Sequence, residues 1–562
     1  MDNRRLFLIA ALVFVAFLIY QAWMQDYGPR PAPEPTSSAN ATSAPVMPTA
    51  LSPSNISAGA SALPSPSSVA STPKGEQITV RTDVLDVVID TAGGDIRQAE
   101  LRKYPVELTT PDQPVKVLTS ESAALLVVQS GLQTRSGPAA PEQQALYTAS
   151  QSQYTLAPDQ KGLTVTLTWM NPGGLKVEKT YTFTHGSYQV KLAYTVRNDA
   201  REAWVGSEYA QIENHYVPVS HSLFSVQRYD YQRVAIHGKD GYKQYEFSDL
   251  LQSPVTETVI AGWIAVVDHY FLTAIIPVAQ GGSTAQNYYY TRSLGDSRFL
   301  VGTLSTPQTL APGASAMFTD TLFIGPKLQT HLAHVAPGLE LTVDYGKLTI
   351  IAEPIFKLLN LIHRFIGNWG WSILVLTLIF KLLFYPLNQI SGRSMAKMRR
   401  VQPRLKALQE RYKDDKQRLS QAMMELYKKE KINPASGCLP MLIQMPIFFA
   451  LYYVLVYSVE LRQSPWVGWI HDLSAPDPYY ILPVVYAVVM FIQFQVSPQP
   501  TADKMQRRVM MVMPLALGVL YAVLPSGLAL YYVANSVLTI AQQWHINRVI
   551  QQDNHKHVAK DG

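Results

Sequence analysis

Five apolar stretches in the second half of the chain restrict it to folds that place helices in a lipid bilayer. They cover roughly residues 369–387, 441–459, 479–496, 509–524 and 526–544. Each has 16–19 residues, which at about 1.5 Å per helical residue is short for a hydrocarbon core of about 30 Å. Prolines lie inside or beside four of them, at Pro446, Pro483, Pro514 and Pro525. This pattern predicts a bundle of five short transmembrane helices within 367–546.

A sixth apolar stretch lies at the N-terminus. Residues 6–20 carry no charge, and two arginines precede them. A cleaved signal peptide is one interpretation, but the bulky Tyr20 and Trp23 stand where a cleavage site needs small residues. We therefore expect residues 1–27 to form an uncleaved signal anchor with a cytoplasmic N-terminus, which brings the expected total to six transmembrane helices.

The region between the anchor and the bundle divides into a linker and a β-rich domain. Residues 28–76 are rich in Pro, Ser, Ala and Thr, a composition typical of extended linkers. From residue 163 to 169, and again from 190 to 196, apolar residues alternate with others at the period of a half-buried strand. Because no alternation of strands and helices is visible, we expect 77–345 to form a large antiparallel β-sandwich.

A change of period marks the end of the β-rich region. Glu353, Lys357, Asn360 and Arg364 fall on one helical face, and apolar residues occupy the rest. The segment 346–366 is therefore predicted to be an amphipathic helix in the membrane interface. An ordinary surface helix of the β domain is the alternative.

Positive charge is concentrated in one loop of the bundle. The net charge is +6, yet residues 391–439 alone hold 13 Lys+Arg against 5 Asp+Glu, a net of +8. A basic loop between apolar segments is first a sign of cytoplasmic location, so we do not predict a specific nucleic-acid site, although ribosome contact is compatible with it. Helical periodicity within 393–431 predicts a helical hairpin there. Because the β domain follows an anchor with a cytoplasmic N-terminus, we expect it to lie outside the cytoplasm, and six transmembrane helices return 547–562 to the cytoplasm as a tail.

The sequence lacks the common signatures of catalysis and of metal or nucleotide binding. We find no P-loop, GxSxG, HExxH or GxGxxG motif, and Cys438 is the one cysteine. His331 and His334 lie three apart without a third ligand nearby, so solvated histidines are the better interpretation. We expect no catalytic residues, no metal and no cofactor.

The informative polar residues lie inside the apolar stretches. Lys381 is the one charge in the core of any of them, and such a charge costs a few kcal/mol unless it faces a polar cavity. Snorkelling to the interface is the alternative. Polar residues extend its face and recur in neighbouring stretches, namely Thr377, Tyr385, Asn388, Gln444, Tyr532, Asn535, Thr539 and Gln542. We predict that together they line a hydrated pocket, whereas each taken alone is equally well explained by an interhelical hydrogen bond.

Ordered motifs across about 370–545 resemble the YidC/Oxa/Alb family of membrane protein insertases. The motifs are Asn368-Trp369-Gly370-Trp371-Ser372, Tyr385-Pro386-Leu387, Ser394-Met395-Ala396-Lys397-Met398, Asn433-Pro434, Gly437-Cys438, Leu442-Ile443-Gln444-Met445-Pro446-Ile447-Phe448, Val459-Glu460-Leu461-Arg462 and Pro525-Ser526-Gly527-Leu528 with Tyr531-Tyr532. The anchor followed by a large β domain resembles the Gram-negative YidC form of the family.

The resemblance implies an inner-membrane insertase and chaperone that works alone or with the Sec translocon. It implies a hydrophilic groove with one essential positive charge, usually an arginine, and the matching residue here is Lys381. Thr377, Gln444 and Tyr532 match groove positions, and Asn388 and Asn535 complete our candidate set. The implied partners are nascent membrane proteins, the Sec translocon, the ribosome and membrane lipids. The β domain resembles a periplasmic super-sandwich for which catalysis is not expected.

Two other functions remain open at the level of sequence. A secondary transporter would also use a buried charge and broken helices, and it predicts internal repeats, which we do not see. A membrane-anchored periplasmic carbohydrate-active protein predicts a cleft with paired carboxylates within 77–340.

Overall fold

A β-sandwich is followed along the chain by a helical domain. The structure, a computed structural model, describes residues 75–141, 144–217, 232–278, 286–412, 415–430, 439–496 and 504–558. The expected signal anchor and nearly all of the expected linker lie outside these residues, as do the Asn433-Pro434 and Gly437-Cys438 motifs.

Two sheets form the sandwich. The first sheet contains β1 (Gln77–Arg81), β2 (Leu85–Asp90), β3 (Asp95–Pro105), β4 (Pro114–Leu118), β5 (Leu126–Ser136), β7 (Gln153–Thr155), β11 (Trp204–His215), β14 (Thr256–Val259), β17 (Asn287–Gly295), β18 (Arg298–Ser305) and β19 (Gln308–Leu310). The second contains β6 (Thr148–Ala149), β8 (Gly162–Met170), β9 (Leu175–Thr184), β10 (Gln189–Asn198), β12 (Arg233–Gly238), β13 (Gly241–Glu246), β15 (Trp263–Val267), β16 (Phe271–Pro277) and β20 (Ser315–Pro326).

The strand order follows from short hairpins and a few long crossings. The first sheet runs β14-β17-β18-β11-β5-β3-β2-β1-β7, with β19 paired to β11 and β4 to β3. The second runs β13-β12-β15-β16-β20-β10-β9-β8-β6. Neighbours are antiparallel except β1 and β7, which pair in parallel. The expected antiparallel sandwich is therefore confirmed, with one short parallel edge that the sequence pattern did not indicate.

Alternating burial explains why these segments are strands. Along β9 and β10, every second side chain is buried between the sheets. The largest of the buried side chains come from both sheets and include Trp204, Trp263, Tyr181, Tyr194 and Phe183. Burying aromatic side chains supplies much of the hydrophobic stabilisation, about 25 cal/mol per Å² of apolar surface.

Buried charges join the two sheets within this core. Lys179 on β9 and Asp95 on β3 are both almost fully buried, and Lys179 Nζ lies 3.8 Å from Asp95 Oδ1. Lys179 Nζ also donates to the carbonyls of Gly93 and Ser130, at 3.0 and 3.1 Å. Burial lowers the pKa of Lys179 to about 8, and Asp95 opposes that shift. Polar bonds across the interior therefore fix how the sheets align.

Ten helices are found among the described residues. They are α1 (Phe247–Leu250), α2 (Gln329–Val335), α3 (Thr349–Ile366), α4 (Trp369–Leu383), α5 (Tyr385–Arg411), α6 (Lys416–Lys429), α7 (Leu439–Tyr457), α8 (Ile481–Val496), α9 (Lys504–Tyr521) and α10 (Ser526–Val558). Within the described part of the chain, α10 packs against α4 and α8, and α3 packs against α4 and α7.

Helix α3 is the amphipathic helix that the sequence predicts. Ala352, Ile355, Phe356, Leu359 and Ile362 form its buried face. On the exposed face, Lys357 Nζ lies 2.6 Å from Glu353 Oε1. The helix ends where Gly367 adopts a left-handed conformation, with φ of 73°. Helix α4 then starts at Asn368, whose side chain accepts a hydrogen bond from the amide of Trp371 at 3.1 Å.

Within the described residues, no single helix combines the length and apolar character needed to cross a membrane. Trp369–Leu383 and Tyr385–Ser394 together meet that requirement by length and composition, with a bend of 58° between them. Leu442–Tyr457, Ile481–Val496 and Val512–Tyr521 are shorter apolar helical segments. Pro386 has no amide hydrogen to bond a preceding carbonyl, which accounts for the break after Phe384.

The basic loop contains two helices, as expected for a hairpin. Its first helix is not separate but is the continuation of α5, which runs from Tyr385 to Arg411. Helix α6 forms the second, and Arg404 Nη1 on α5 lies 2.6 Å from Glu430 Oε1 just beyond α6. Helix α10 likewise continues to Val558, so most of the expected tail 547–562 is helical.

Candidate functional site

Lys381 lies midway along the bent pair α4–α5, in the last turn of α4, and faces α10. Its Nζ donates a hydrogen bond to Thr539 Oγ1 at 2.7 Å. Thr539 in turn donates to the carbonyl of Asn535 at 2.6 Å, one turn earlier on α10. Thr539 thus links Lys381 to the backbone of Asn535 within α10, and this link does not involve the side-chain amide of Asn535. Because the C-terminal end of a helix carries partial negative charge, this end of α4 favours an ammonium group.

Two further polar contacts join α5 to α10 below Lys381. Asn388 Nδ2 donates to Gln542 Oε1 at 3.3 Å. Tyr385 Oη lies 3.4 Å from His545 Nδ1. Gln542 Nε2 is buried and has no hydrogen-bond partner among the described residues. The predicted polar faces of the two helices therefore meet over about two turns, and Gln542 retains an unused donor.

Gln444 and Tyr532 belong to a second contact, between α7 and α10. Gln444 Nε2 donates to Tyr531 Oη at 2.8 Å. Tyr532 lies in an aromatic cluster, with ring centroids 5.3 Å from Phe448, 5.2 Å from Tyr521 and 5.1 Å from Tyr531. Gln444 is therefore held by the neighbour of Tyr532 rather than by Tyr532 itself.

Thr377 makes no interhelical hydrogen bond through its donor. Its hydroxyl is buried and donates to the carbonyl of Ile373 at 2.7 Å, within α4. This bond satisfies the hydroxyl locally, as serine and threonine commonly do inside helices. Thr377 thus lies on the same helix as Lys381, one turn away, and packs in the interior.

Among the described residues, no carboxylate forms an ion pair with Lys381. The Thr539 hydroxyl, to which its ammonium group donates, is neutral. A lone ammonium group in a region of low dielectric attracts anionic groups far more strongly than it does in water. The arrangement can therefore attract a carboxylate supplied from outside the helices.

The β domain shows carboxylates paired in its interior rather than in a cleft. Glu208 on β11 and Asp320 on β20 form a hydrogen-bonded pair, and both are almost fully buried. Burial raises the pKa of Asp320 to about 6 and raises that of Glu208 as well. Such a pair shares one proton. Because both carboxyls are buried between the sheets, a sugar cannot reach them, and the pair does not support a carbohydrate-active site.

Two clefts open elsewhere on the β domain. One, of about 320 Å³, is lined by Gln133, Thr134, Arg135, Ser207, Thr258, Gln286, Tyr288, Leu304, Ser305, Thr306 and Pro307. The other, of about 340 Å³, includes His331 and His334 in its lining. Among the described residues, no group of three or more His, Cys, Asp or Glu side chains is placed to hold a metal ion.

Comparisons with known proteins assign the chain to a family. The model of the YidC periplasmic domain matches residues 77–358, and the model of the 60Kd inner membrane protein matches residues 361–554. A membrane protein insertase YidC from Nitrosococcus oceani is 45% identical over 98% of this chain and 100% of that protein. Another from Azotobacter vinelandii is 42% identical over 98% of this chain and 99% of that protein. The chain belongs to the YidC family.

Solved structures give weaker similarity. A YidC insertase crystal structure with the first transmembrane domain resolved is 19% identical, covering 84% of this chain and 94% of that one, with a TM-score of 0.37. A galactose mutarotase related enzyme from Lactobacillus acidophilus is 9% identical, covering 44% of this chain and 97% of that one, with a TM-score of 0.29.

Two residues of the site in this YidC family member were not among our sequence candidates. Tyr531 accepts a hydrogen bond from Gln444, and His545 lies beside the Tyr385 hydroxyl. The position of Tyr531 next to Tyr532 in an apolar stretch was a signal for it. His545 falls at the expected spacing from Gln542 on the same face, but it lies beyond the last apolar stretch, so the pattern alone did not reach it.

Proposed function

We propose that this chain is a membrane protein insertase and chaperone that uses the polar face between α4–α5 and α10 as a groove for its clients. The proposal rests on the placement of Lys381: its ammonium group lies midway along an apolar helix pair, and its partner among the described residues is a hydroxyl and not a carboxylate. The candidate groove residues are Lys381, Thr377, Gln444, Tyr532, Asn388 and Asn535.

The groove lowers the free energy of moving a polar tail through the membrane. An unpaired charge at the centre of a bilayer costs about 3 kcal/mol on insertion scales. Lys381 offsets that cost for an acidic tail by attraction, and the amide and hydroxyl groups of Asn388, Gln542 and Thr539 replace part of its lost hydration. The apolar segment of the client then moves along the exposed apolar side chains of the helices into lipid.

The proposed domains follow the sequence boundaries. They are an anchor at 1–27, a linker at 28–76, a periplasmic β super-sandwich at 77–345, an interfacial helix at 346–366, an insertase core at 367–546 with a hairpin at 393–431, and a tail at 547–562. Six membrane-spanning helices place both termini in the cytoplasm and the β domain in the periplasm, in the inner membrane of a bacterium. The excess of Lys and Arg in the hairpin supports this orientation.

The proposed partners are nascent membrane proteins, the Sec translocon, the ribosome and membrane lipids. The exposed basic residues of α5 and α6 suit the ribosome, since RNA phosphates attract Lys and Arg without sequence preference. Insertion itself requires no cofactor or bond-making step from this chain, because hydrophobic partitioning and the membrane potential supply the free energy. We therefore propose that the chain is not an enzyme.

A substitution series at Lys381 tests the proposal. Lys381→Arg retains the charge and the reach, so we expect insertion to continue at near-native level. Lys381→Leu removes the attraction and Lys381→Glu reverses it, so insertion of a client with an acidic translocated tail is expected to fall about tenfold or more, with the Glu variant worse. The measurement is protease protection of that client in cells depleted of the native protein and supplied with each variant.

The matched control is Lys357→Leu, the same substitution at an exposed lysine of α3. It is expected to leave insertion unchanged. Full insertion by a stably expressed Lys381→Leu variant would contradict the role of the charge, and so would equal loss for clients with neutral and acidic tails.

A further inference from the structure

The loop that follows α7 is attached to the β domain through several polar contacts. Ser458 Oγ lies 3.2 Å from Tyr345 Oη, and the backbone amide of Gln329 donates to Glu460 Oε1 at 3.2 Å. The ring of His269 approaches α7 itself, with Nε2 2.9 Å from the carbonyl of Val456. We call residues 456–463 together with these partners the docking contact.

Arg462 and Gln463 extend the docking contact to the turn after β3. Arg462 Nη2 donates to the carbonyls of Pro105 and Val106, at 2.9 and 3.1 Å. Gln463 Nε2 donates to the same two carbonyls at 3.1 and 3.2 Å. These four hydrogen bonds fix the position of the loop relative to the end of β3, because a shift by one residue would break all of them.

The Glu460 carboxyl is only partly hydrogen-bonded within the docking contact. Its Oε1 accepts the bond from Gln329, but Oε2 is shielded from solvent and has no hydrogen-bond partner among the described residues. No cation of the described chain forms an ion pair with it, although Arg462 lies two residues further on. A buried carboxylate in this position carries a desolvation cost that a protonated carboxyl does not.

We propose that the docking contact is strengthened when Glu460 is protonated, so that acidification fixes the β domain to the helical domain and alkalinisation loosens it. The proposal rests on the geometry of the interface. The Glu460 carboxyl, with one oxygen hydrogen-bonded and the other without a partner among the described residues, lies between α7, which carries the proposed groove residue Gln444, and a domain of about 250 residues. This inference goes beyond insertion itself and does not depend on a client.

The charged and titratable groups around Glu460 are two tyrosines, Arg462 and Glu353, and His269 lies at the α7 end of the docking contact. Tyr104 on β3 and Tyr345 face Glu460, and burial raises the pKa of both phenols, so both stay neutral near pH 7. Arg462 is committed to the Pro105 and Val106 carbonyls, and Asp472 is its charged neighbour. Glu353 adds to the rise in the pKa of the Tyr345 phenol, whereas the rise in the pKa of Glu460 comes from burial alone.

The direction of the pH dependence follows from the pKa of Glu460, which burial raises to about 7 from an ordinary value of 4.5. A carboxyl with a raised pKa in the docked state favours docking fully below its undocked pKa, and this gain is lost as pH rises through the docked value. Between pH 5.5 and pH 8.0 the docking equilibrium constant is therefore expected to fall on the order of tenfold.

Hydrogen exchange of the full chain in nanodiscs measures this constant. The reporter is the protection factor of the peptide around Gln329, whose amide donates to Glu460, at pH 5.5 and pH 8.0 after correction for intrinsic exchange. We expect it to fall on the order of tenfold in the native chain. The amide of Leu332, bonded to Leu328 inside α2, is the internal reference and is expected to change less.

Glu460→Gln removes the titration and is expected to give equal protection at the two pH values. Glu353→Gln, at an exposed carboxylate, is the matched control and is expected to keep the native pH dependence. If Glu460→Gln does not fold, Glu460→Leu fills the same space without charge and is expected to give the same flat profile. Equal protection at both pH values in the native chain would overturn the proposal, and so would a native pH dependence in the Gln or Leu variant.

Discussion

Asp477 is a carboxylate that accepts several hydrogen bonds just before the start of α8. It is buried and accepts three hydrogen bonds, from Trp469 Nε1 at 3.0 Å, from the amide of Tyr479 at 3.0 Å and from the amide of Leu482 at 2.7 Å. The first amides of a helix have no partner within the helix, so a carboxylate there satisfies them and favours the helix dipole. Asp477 thus connects the loop between α7 and α8 to the start of α8.

We predict that Asp477→Ala lowers the free energy of unfolding of the helical domain by about 2–4 kcal/mol, because one buried and two partly buried donors lose their acceptor. Asp477→Asn keeps one acceptor oxygen and is expected to cost less. The measurement is thermal or denaturant unfolding of the purified chain in detergent. Asp199→Ala, at an exposed ion pair with Arg197, is the control and should stay within about 0.5 kcal/mol of native. Equal stability of Asp477→Ala and native would contradict the capping role.

Sequence could predict which residues are polar in the groove but not their partners. Lys381 stands out because a charge inside an apolar stretch is costly, and Asn388 and Asn535 follow from helical spacing. Which residue of α10 faces Lys381 depends on the rotation and axial shift of two helices, and neither is encoded in the spacing along one helix. The sequence also does not predict that Thr377 bonds the Ile373 carbonyl of its own helix. A helical wheel does not show whether a hydroxyl bonds its own helix or a neighbouring one.

Among the elements, the strands of the sandwich were the most predictable and the helix ends the least. Alternation along β8 and β10 indicated the buried faces directly, because the period of two is a local property. The joining of α5 to the basic hairpin was not predicted, because an apolar stretch followed by a basic one suggests a boundary where the backbone in fact continues as one helix. The parallel pair β1–β7 depends on a long-range crossing that no local pattern records.

The cross-sheet pair of Glu208 on β11 and Asp320 on β20 makes the sandwich sensitive to pH. Burial raises the pKa of both carboxyls, that of Asp320 to about 6. Groups with raised pKa values stabilise the fold fully below their unfolded values near 4, and that contribution is lost as pH rises through 6. We predict that protection of the β11 and β20 amides falls over this range.

In Asp320→Asn one proton no longer titrates. The free energy of opening that protects these amides is therefore expected to fall less steeply with pH, by roughly 1 kcal/mol per pH unit between pH 4.5 and 6. Hydrogen exchange of the full chain measures it. Asp240→Asn, at an exposed ion pair with Lys243, is the control with a native slope. An unchanged slope in Asp320→Asn would show that the pair does not share a proton in the folded domain.

At the scale of the whole molecule, the two domains differ in the interactions that stabilise them. Aromatic and aliphatic side chains packed between two sheets stabilise the β domain, whereas polar contacts join the helices around Lys381. Sequence composition already separates these halves, because residues 26–370 carry 24 Lys+Arg and 29 Asp+Glu, whereas the basic excess lies in 391–439. Their relative placement came only from the structure, through contacts such as that of Arg462 with the Pro105 carbonyl.

The proposed orientation predicts which surfaces a reagent can reach. In a chain whose Cys438 has been replaced, a cysteine at Val467 in the exposed loop after α7 should react with an impermeant maleimide in spheroplasts, and a cysteine at Ser420 on α6 should not. Both sites are expected to react after the membrane is opened, which controls for accessibility. Labelling at 420 in sealed spheroplasts would contradict a cytoplasmic hairpin.

The place of β20 in the second sheet determines when the β domain can fold. This strand lies between β16 and β10, yet it is the last strand of the domain in the chain. Before β20 is available, β8, β9 and β10 can pair only with one another, as can β12, β15 and β16, and each set keeps an unpaired edge. The two sets can join only once β20, which ends at Pro326, lies on the same side of the membrane. A long delay between export and completion of the fold is expected to leave these edges open to aggregation and to favour the binding of a periplasmic chaperone.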